Sequence, residues 1–174
     1  FNVIFSQWFT INHEGVLRTY YLSVSSKATI DNPSPLIINL HGYGGSATQQ
    51  LYYSQMNEYA LDQNIMVVYP QGYTNSWNVY TYWDNNNLDD IGFISAMIDT
   101  ISTDYNIDLD RIYACGMSNG GYMSYRLACD LSDKIAAFGS VTGNFMLNEN
   151  QSCNPDREIP IIHLHGTLDN IVGY

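Results

Sequence analysis

The 174-residue chain carries 17 acidic residues against six basic ones, a formal net charge of −11. That balance repels phosphate backbones and anionic lipid, and so argues against nucleic acid and membrane surfaces as partners. A composition of 45% hydrophobic and 13% charged residues is that of one globular domain over 1–174, with neither a run of about 18 apolar residues nor a signal-type leader. The first residue is Phe1, and the chain reads as a processed or excised piece. Fifteen tyrosines, many asparagines and few lysines suit a secreted or periplasmic protein that meets polymers or aromatic compounds.

Three cysteines are too few for a disulfide scaffold and lack zinc-type spacing, and the His-x-His pair His163 and His165, which would share one strand face, has no third and fourth ligand, so no metal is expected, nor any cofactor. Cys115 reads as a small buried hydrophobe. Cys129 and Cys153 flank a helix and a polar loop, and a disulfide between them is expected in an oxidising compartment.

In chain order, Phe5 to Ser25 reads as a β-hairpin turning at His13-Glu14-Gly15, with His13 a solvated turn residue. The apolar run Leu36-Ile37-Ile38-Asn39-Leu40 is typical of a central parallel strand and ends in His41-Gly42-Tyr43-Gly44-Gly45. One helix is expected from about Ala47 to Asp62, capped by Ser46, with Leu51, Met56, Tyr59 and Ala60 facing inward. Ile65 to Tyr69 makes a further buried strand.

The segment from Tyr73 to Leu88 is long, polar and aromatic. Loops of that length inside a domain are usually functional or disordered, and the aromatics argue against disorder, so Trp77, Tyr82 and Trp83 are candidates for a substrate wall, with a satellite core as the alternative. Asp89-Asp90 opens a helix whose stripe is Ile91, Ile94, Ile98 and Ile101, and both acids are read as serving its N-terminus. Strands are expected at 111–115, 135–141 and 159–165. Strands and helices alternate, which implies crossover connections and a mostly parallel sheet.

Gly116-Met117-Ser118-Asn119-Gly120 lies between the strand at 111–115 and a helix carrying Met123 and Leu127 on one face. Gly-x-Ser-x-Gly in that setting is a nucleophile elbow, with the serine in a strained conformation and glycines that let strand and helix pass closely. The glycine-rich segment after Leu40 lets the Tyr43 N–H turn toward one point, and the Asn119 N–H would be the second donor of an oxyanion hole. Tyr43, Ser118 and Asp169 all fall beyond the carboxyl ends of strands, where ligands gather in open parallel sheets.

Leu40-His41-Gly42, Asp89-Asp90-Ile91-Gly92-Phe93, Asp110-Arg111-Ile112-Tyr113, Gly116-Met117-Ser118-Asn119-Gly120-Gly121 and His165-Gly166-Thr167-Leu168-Asp169 together resemble the secreted polyhydroxybutyrate depolymerase/feruloyl esterase family of α/β-hydrolases. The resemblance runs from about Gly15 to the last residue. It implies the α/β-hydrolase fold, Ser118 as nucleophile, Asp169 as triad acid, and the Tyr43 and Asn119 N–H groups as the oxyanion hole. The family's catalytic histidine follows one more strand after the acid and has no counterpart here, so the domain reads as truncated before that strand.

The expected chemistry is serine ester hydrolysis through an acyl-enzyme, on feruloyl or acetyl esters of polysaccharide or on a hydroxyalkanoate polyester. His41 and His165 stay open as substitute bases, and a second chain that supplies the missing segment stays open as a partner. The rivals are a non-catalytic binding protein on the same fold and a serine peptidase of the prolyl-oligopeptidase kind.

Overall fold

The computed structural model of the chain describes residues 6–81, 86–145 and 153–174. β1 (Ser6–His13) and β2 (Val16–Ser23) form the expected hairpin. Its turn uses Glu14 and Gly15, both at positive φ. β2 pairs antiparallel with β4 (Met66–Pro70). The remaining pairs are parallel: β3 (Ser34–Leu40) lies between β4 and β5 (Ile107–Met117), and β6 (Ala137–Val141) and β7 (Ile161–Leu164) follow outward. The sheet order is β1-β2-β4-β3-β5-β6-β7, a mixed, mostly parallel sheet of the α/β-hydrolase type.

Side chains alternate between the two faces. On one face Leu36, Ile38, Leu40, Val68, Ile112 and Ala114 pack with Phe93, Ile94, Met97, Ile98 and Ile101 of α3 (Asp90–Asp104) and Met123 and Leu127 of α4 (Asn119–Asp130). The apolar stripes of both helices are therefore the ones their spacing predicts. Val67 and Tyr69 point to the opposite face and meet Ala47 and Ala60.

The single helix expected over 47–62 is two. α1 (Ala47–Ser54) is capped by the Ser46 hydroxyl accepting from the Gln49 N–H, and it ends where Gln55 takes a left-handed conformation at φ 50°. α2 (Met56–Ala60) starts from that residue. The kink turns Met56 and Ala60 toward the sheet and leaves Tyr59 74% exposed, so Tyr59 is not the inward residue that helical spacing predicts.

β7 is an edge strand whose Ile162 and Leu164 are exposed. Beside it Ile37, Cys115, Gly139 and Ile162 line an apolar trough of about 430 Å³. Burial pushes the Cys115 thiol up to about 12, so it stays uncharged.

Two buried polar contacts fix the loops above the strand ends. Arg18 on β2 donates to Asp90 at 2.5 Å, both side chains being at most 2% exposed, and its guanidinium lies 4.0 Å from the Phe93 ring centre. Asp90 also accepts from the Asn78 N–H and the Asn86 amide. Of the two acids read as helix-end residues, only Asp89 caps α3, by accepting from the Gly92 N–H. Asp90 instead anchors the 71–90 loop. Burial pushes its carboxyl up, against the pull of Arg18.

The second contact is His41. Its Nδ1–H donates to the Gly42 carbonyl at 2.8 Å and its Nε2 accepts from the Gly72 N–H at 2.9 Å, which defines a neutral Nδ1–H tautomer. Burial pulls its pKa below 6.5.

Arg18→Met leaves the Asp90 carboxylate buried without its cation and is expected to cost about 3–5 kcal/mol. Urea denaturation checks this, and a loss below about 1 kcal/mol would contradict it. For His41, the unfolded chain takes up a proton below about 6.5 while the folded chain resists it. Stability should therefore fall as the pH drops from 7.5 to 5.5, and His41→Gln should flatten that slope by up to about 1.4 kcal/mol per pH unit. Equal slopes in the two proteins would refute the assignment.

Candidate active site

Ser118 stands between the end of β5 and the start of α4 with φ 53° and ψ −119°, a conformation that costs a non-glycine residue about 1–3 kcal/mol. Its surroundings impose it. A Cβ on Gly116 would run into the backbone of Gly120, and one on Gly120 would overlap the Leu40 and His41 carbonyl oxygens. Strand, helix and the end of β3 thus meet at backbone-to-backbone distance. The Ser118 N–H donates to the Val141 carbonyl at 2.8 Å, and its own carbonyl accepts from the Tyr122 N–H at 3.0 Å. The strained residue is held on both sides, and the side chain stays partly exposed.

The glycine-rich loop after β3 lies against this turn. A Cβ built on Gly42 would sit 3.5 Å from the Cβ of Ser118, which brings Tyr43, the next residue, beside Ser118. The Gly44 N–H donates to the Asn75 carbonyl at 2.8 Å and the Gly45 N–H to the Gly42 carbonyl at 3.0 Å, so the loop is tied both to itself and to the 71–90 loop. Asn119 is the first residue of α4, where the N–H groups have no partner within the helix and point out of its positive end. Its side chain is structural: the amide accepts from the Trp77 N–H at 2.7 Å and donates to the Trp77 carbonyl at 3.1 Å. A groove of about 550 Å³ opens beside the loop, with Tyr43, Gln49, Tyr52, Tyr53 and Met117 on its walls.

The three aromatic candidates for a substrate wall divide. Trp77 is fully buried, its indole N–H donates to the His41 carbonyl at 2.9 Å, and its ring packs against His41. It belongs to the main core rather than to a satellite core and supports the end of β3, so it forms no part of a substrate surface. Tyr82 and Trp83 lie outside the described residues. Cys129 and Cys153 are joined at 2.02 Å, tying the end of α4 to the segment that leads into β7.

Asp169 lies in the loop after β7. Its Oδ1 accepts from the Ile171 and Val172 N–H groups, each at 2.9 Å. The Val172 and Ile171 amides hold the carboxyl below its ordinary range, so it is ionised at neutral pH. Oδ2 is 3.8 Å from His165 Nε2, too far for a hydrogen bond.

The four histidines all have other partners. His13 Nε2 is 3.1 Å from Asp89 and is therefore more than a solvated turn residue. Both nitrogens of His41 are engaged as described above. His165 Nε2 lies 2.7 Å from the Val172 carbonyl and its Nδ1 lies 3.2 Å from His163 Nε2, while His163 Nδ1 lies 2.8 Å from the Tyr125 hydroxyl. His41 and His165, left open as substitute bases, are thus both committed to structural bonds. The buried Arg18–Asp90 pair and the Tyr125 contact escaped the sequence reading, because each joins residues tens of positions apart with no local pattern to mark them.

Comparison with known proteins gives the family. Residues 84–174 match the phospholipase/carboxylesterase family. The chain is 33% identical over 141 residues to the bifunctional acetylxylan esterase/xylanase of Neocallimastix patriciarum, covering 81% of this chain and 20% of that protein. It is 34% identical over 163 residues to feruloyl esterase B of Piromyces equi, covering 90% of this chain and 30% of that protein. The crystal structure of a thermostable esterase superposes with a TM-score of 0.75 at 26% identity, covering 97% of this chain and 48% of that one. The chain therefore spans less than half the length of each of these relatives. It belongs to the phospholipase/carboxylesterase family of α/β-hydrolases, and its relatives include feruloyl and acetylxylan esterases.

Proposed function

We propose that this chain carries the nucleophile and acid of a serine carboxylic-ester hydrolase that works through an acyl-enzyme on feruloyl or acetyl esters of polysaccharide. The observation that carries this reading is the strained Ser118 at the strand–helix turn, with the Gly42–Tyr43 loop packed against it. In the first step the Ser118 hydroxyl attacks the ester carbonyl and a base takes its proton. The Tyr43 and Asn119 N–H groups stabilise the oxyanion, and the alcohol leaves with that proton. Water activated by the same base then releases the acid. The Asp169 carboxylate orients the base through Oδ2, its Oδ1 being engaged by backbone amides.

The base is an imidazole from polypeptide outside these 174 residues, either a continuation of the chain or a second chain. The committed histidines and the uncovered trough beside the edge strand β7 support this. Secretion or a periplasmic site is supported by the Cys129–Cys153 disulfide, since such bonds persist in oxidising compartments. The same commitment of all four histidines also favours the second reading, a binding protein that keeps the fold and lacks turnover. A hydroxyalkanoate polyester remains the alternative ester substrate. A peptidase of the prolyl-oligopeptidase kind would cleave amides instead.

The test is hydrolysis of methyl ferulate, p-nitrophenyl acetate and a peptide anilide by the longest form of the protein in its source. Ester but not anilide turnover is expected, and anilide turnover alone would overturn the choice of bond. Ser118→Ala should lower ester kcat by roughly 10⁴- to 10⁶-fold, and Asp169→Asn by about 10⁴-fold. Full activity in Ser118→Ala would refute the nucleophile.

A further inference from the structure

Tyr125 on α4, His163 on β7 and His165 just beyond it form a continuous chain of short contacts that ends on the loop carrying Asp169. The direction of every bond follows from one end. A carbonyl oxygen only accepts, so the 2.7 Å contact with the Val172 carbonyl requires a proton on His165 Nε2. In a neutral His165 the Nδ1 then carries the lone pair, and the 3.2 Å contact requires a proton on His163 Nε2. The His163 Nδ1 is in turn the acceptor, and the Tyr125 hydroxyl, 2.8 Å away, is the donor. The two imidazole planes are 16° apart, as an in-plane N–H···N bond allows. Every donor and acceptor is used once, in one sense.

This chain reaches the acid loop at its base. Val172 receives the last bond through its carbonyl and gives its N–H to Asp169 Oδ1. One residue thus links the chain to the carboxylate. The loop closes on itself through the Asp169 N–H and the Gly166 carbonyl at 3.0 Å, and the Asn144 amide holds the Gly173 carbonyl. Ile171 and Leu168, at 87% and 94% exposed, give the loop no apolar anchorage, and beside the packing of Val172 against the core and of Tyr174 against His165 its position rests on these polar bonds. At the other end Tyr125 belongs to the helix that begins at Asn119, immediately after the nucleophile. Its ring packs edge-on against Phe138, and burial raises the hydroxyl pKa, which keeps the donor proton in place.

We propose that Tyr125, His163 and His165 are positioning residues. Their one-way hydrogen-bond chain, from Tyr125 O–H to the Val172 carbonyl, holds the Asp169 loop in register with the elbow helix. This rests on the reading of Asp169 as the triad acid. The His-x-His pair is then a strut, with both rings neutral and both in the Nε2–H tautomer.

The structural part is tested on the 174-residue chain by long-range ¹H–¹⁵N NMR at pH 8. His163 and His165 should both show Nε2–H, and an Nδ1–H signal from either would overturn the chain. The functional part is tested by ester hydrolysis in the most active form of the protein. His163→Leu cannot bridge Tyr125 to His165 and should lower kcat about 10- to 100-fold, with KM within about twofold, as a displaced catalytic group does. His163→Gln has both an acceptor and a donor and should restore most of the loss. Wild-type kcat in His163→Leu, or no difference between the Leu and Gln variants, would refute the positioning role. Should His163→Leu fail to fold, Tyr125→Phe gives the second measurement: loss of the first bond should lower kcat, and unchanged kcat would refute the role. Loss of all Ser118-dependent hydrolysis in the unsubstituted protein would count against the esterase reading, while the NMR result would still decide the hydrogen-bond chain.

Discussion

The structure depends on a near-contact of three backbones. β5, α4 and the end of β3 converge at Gly116, Gly120 and Leu40–His41 so closely that neither glycine has room for a side-chain carbon at the crossing. With strand and helix at that separation, the residue between them has no relaxed conformation available, and Ser118 takes positive φ. The strain is local, and the sheet core sustains it, because Leu40, Met123 and Leu127 are fully buried on either side of the turn. The same crossing brings the start of α4 beside the Gly42–Tyr43 loop. One packing constraint therefore sets Ser118, a helix N-terminus and a glycine-rich loop side by side.

The rest of the chain arranges itself to hold that crossing. His41 ties the end of β3 to the turn after β4, Trp77 covers His41, and Asn119 grips Trp77 by its backbone. Arg18 and Asp90 fasten the same 71–90 loop from the other side of the sheet end. On the far side of the elbow, the Tyr125–His163–His165 chain and the Cys129–Cys153 disulfide connect α4 to the segments around β7. The polar side chains near the candidate site are thus mostly braces. All four histidines are among them, each with a partner other than Ser118.

Much of this was legible in the sequence, where local physics decides the outcome. The hairpin, the β3 run, the Ser46 cap, the stripe of α3 and the elbow are written in spacing of two or three-to-four residues, in turn glycines and in one capping hydroxyl. What escaped depends on contacts between distant segments. Nothing at Gln55 announces a left-handed residue, yet it breaks the helix and exposes Tyr59. Trp77 looks like a loop aromatic, and only the fold places it under His41. Asp89 and Asp90 are adjacent identical acids, and whether each caps a helix or pairs with an arginine 72 positions away is set by tertiary packing. The disulfide was legible because Cys129 and Cys153 flank a helix end and a polar loop while Cys115 sits inside a strand.

The central claim is that Ser118 is a preset nucleophile whose base lies outside these 174 residues. Fluorophosphonate labelling with mass-spectrometric mapping tests it most directly, run on the 174-residue chain beside the longest form of the protein in its source. The account predicts a label on Ser118 in the longer or associated form and none in the 174-residue chain alone. A label on Ser118 in the short chain would place the base among its own residues, and no label in either form would remove the nucleophile; each result contradicts the account.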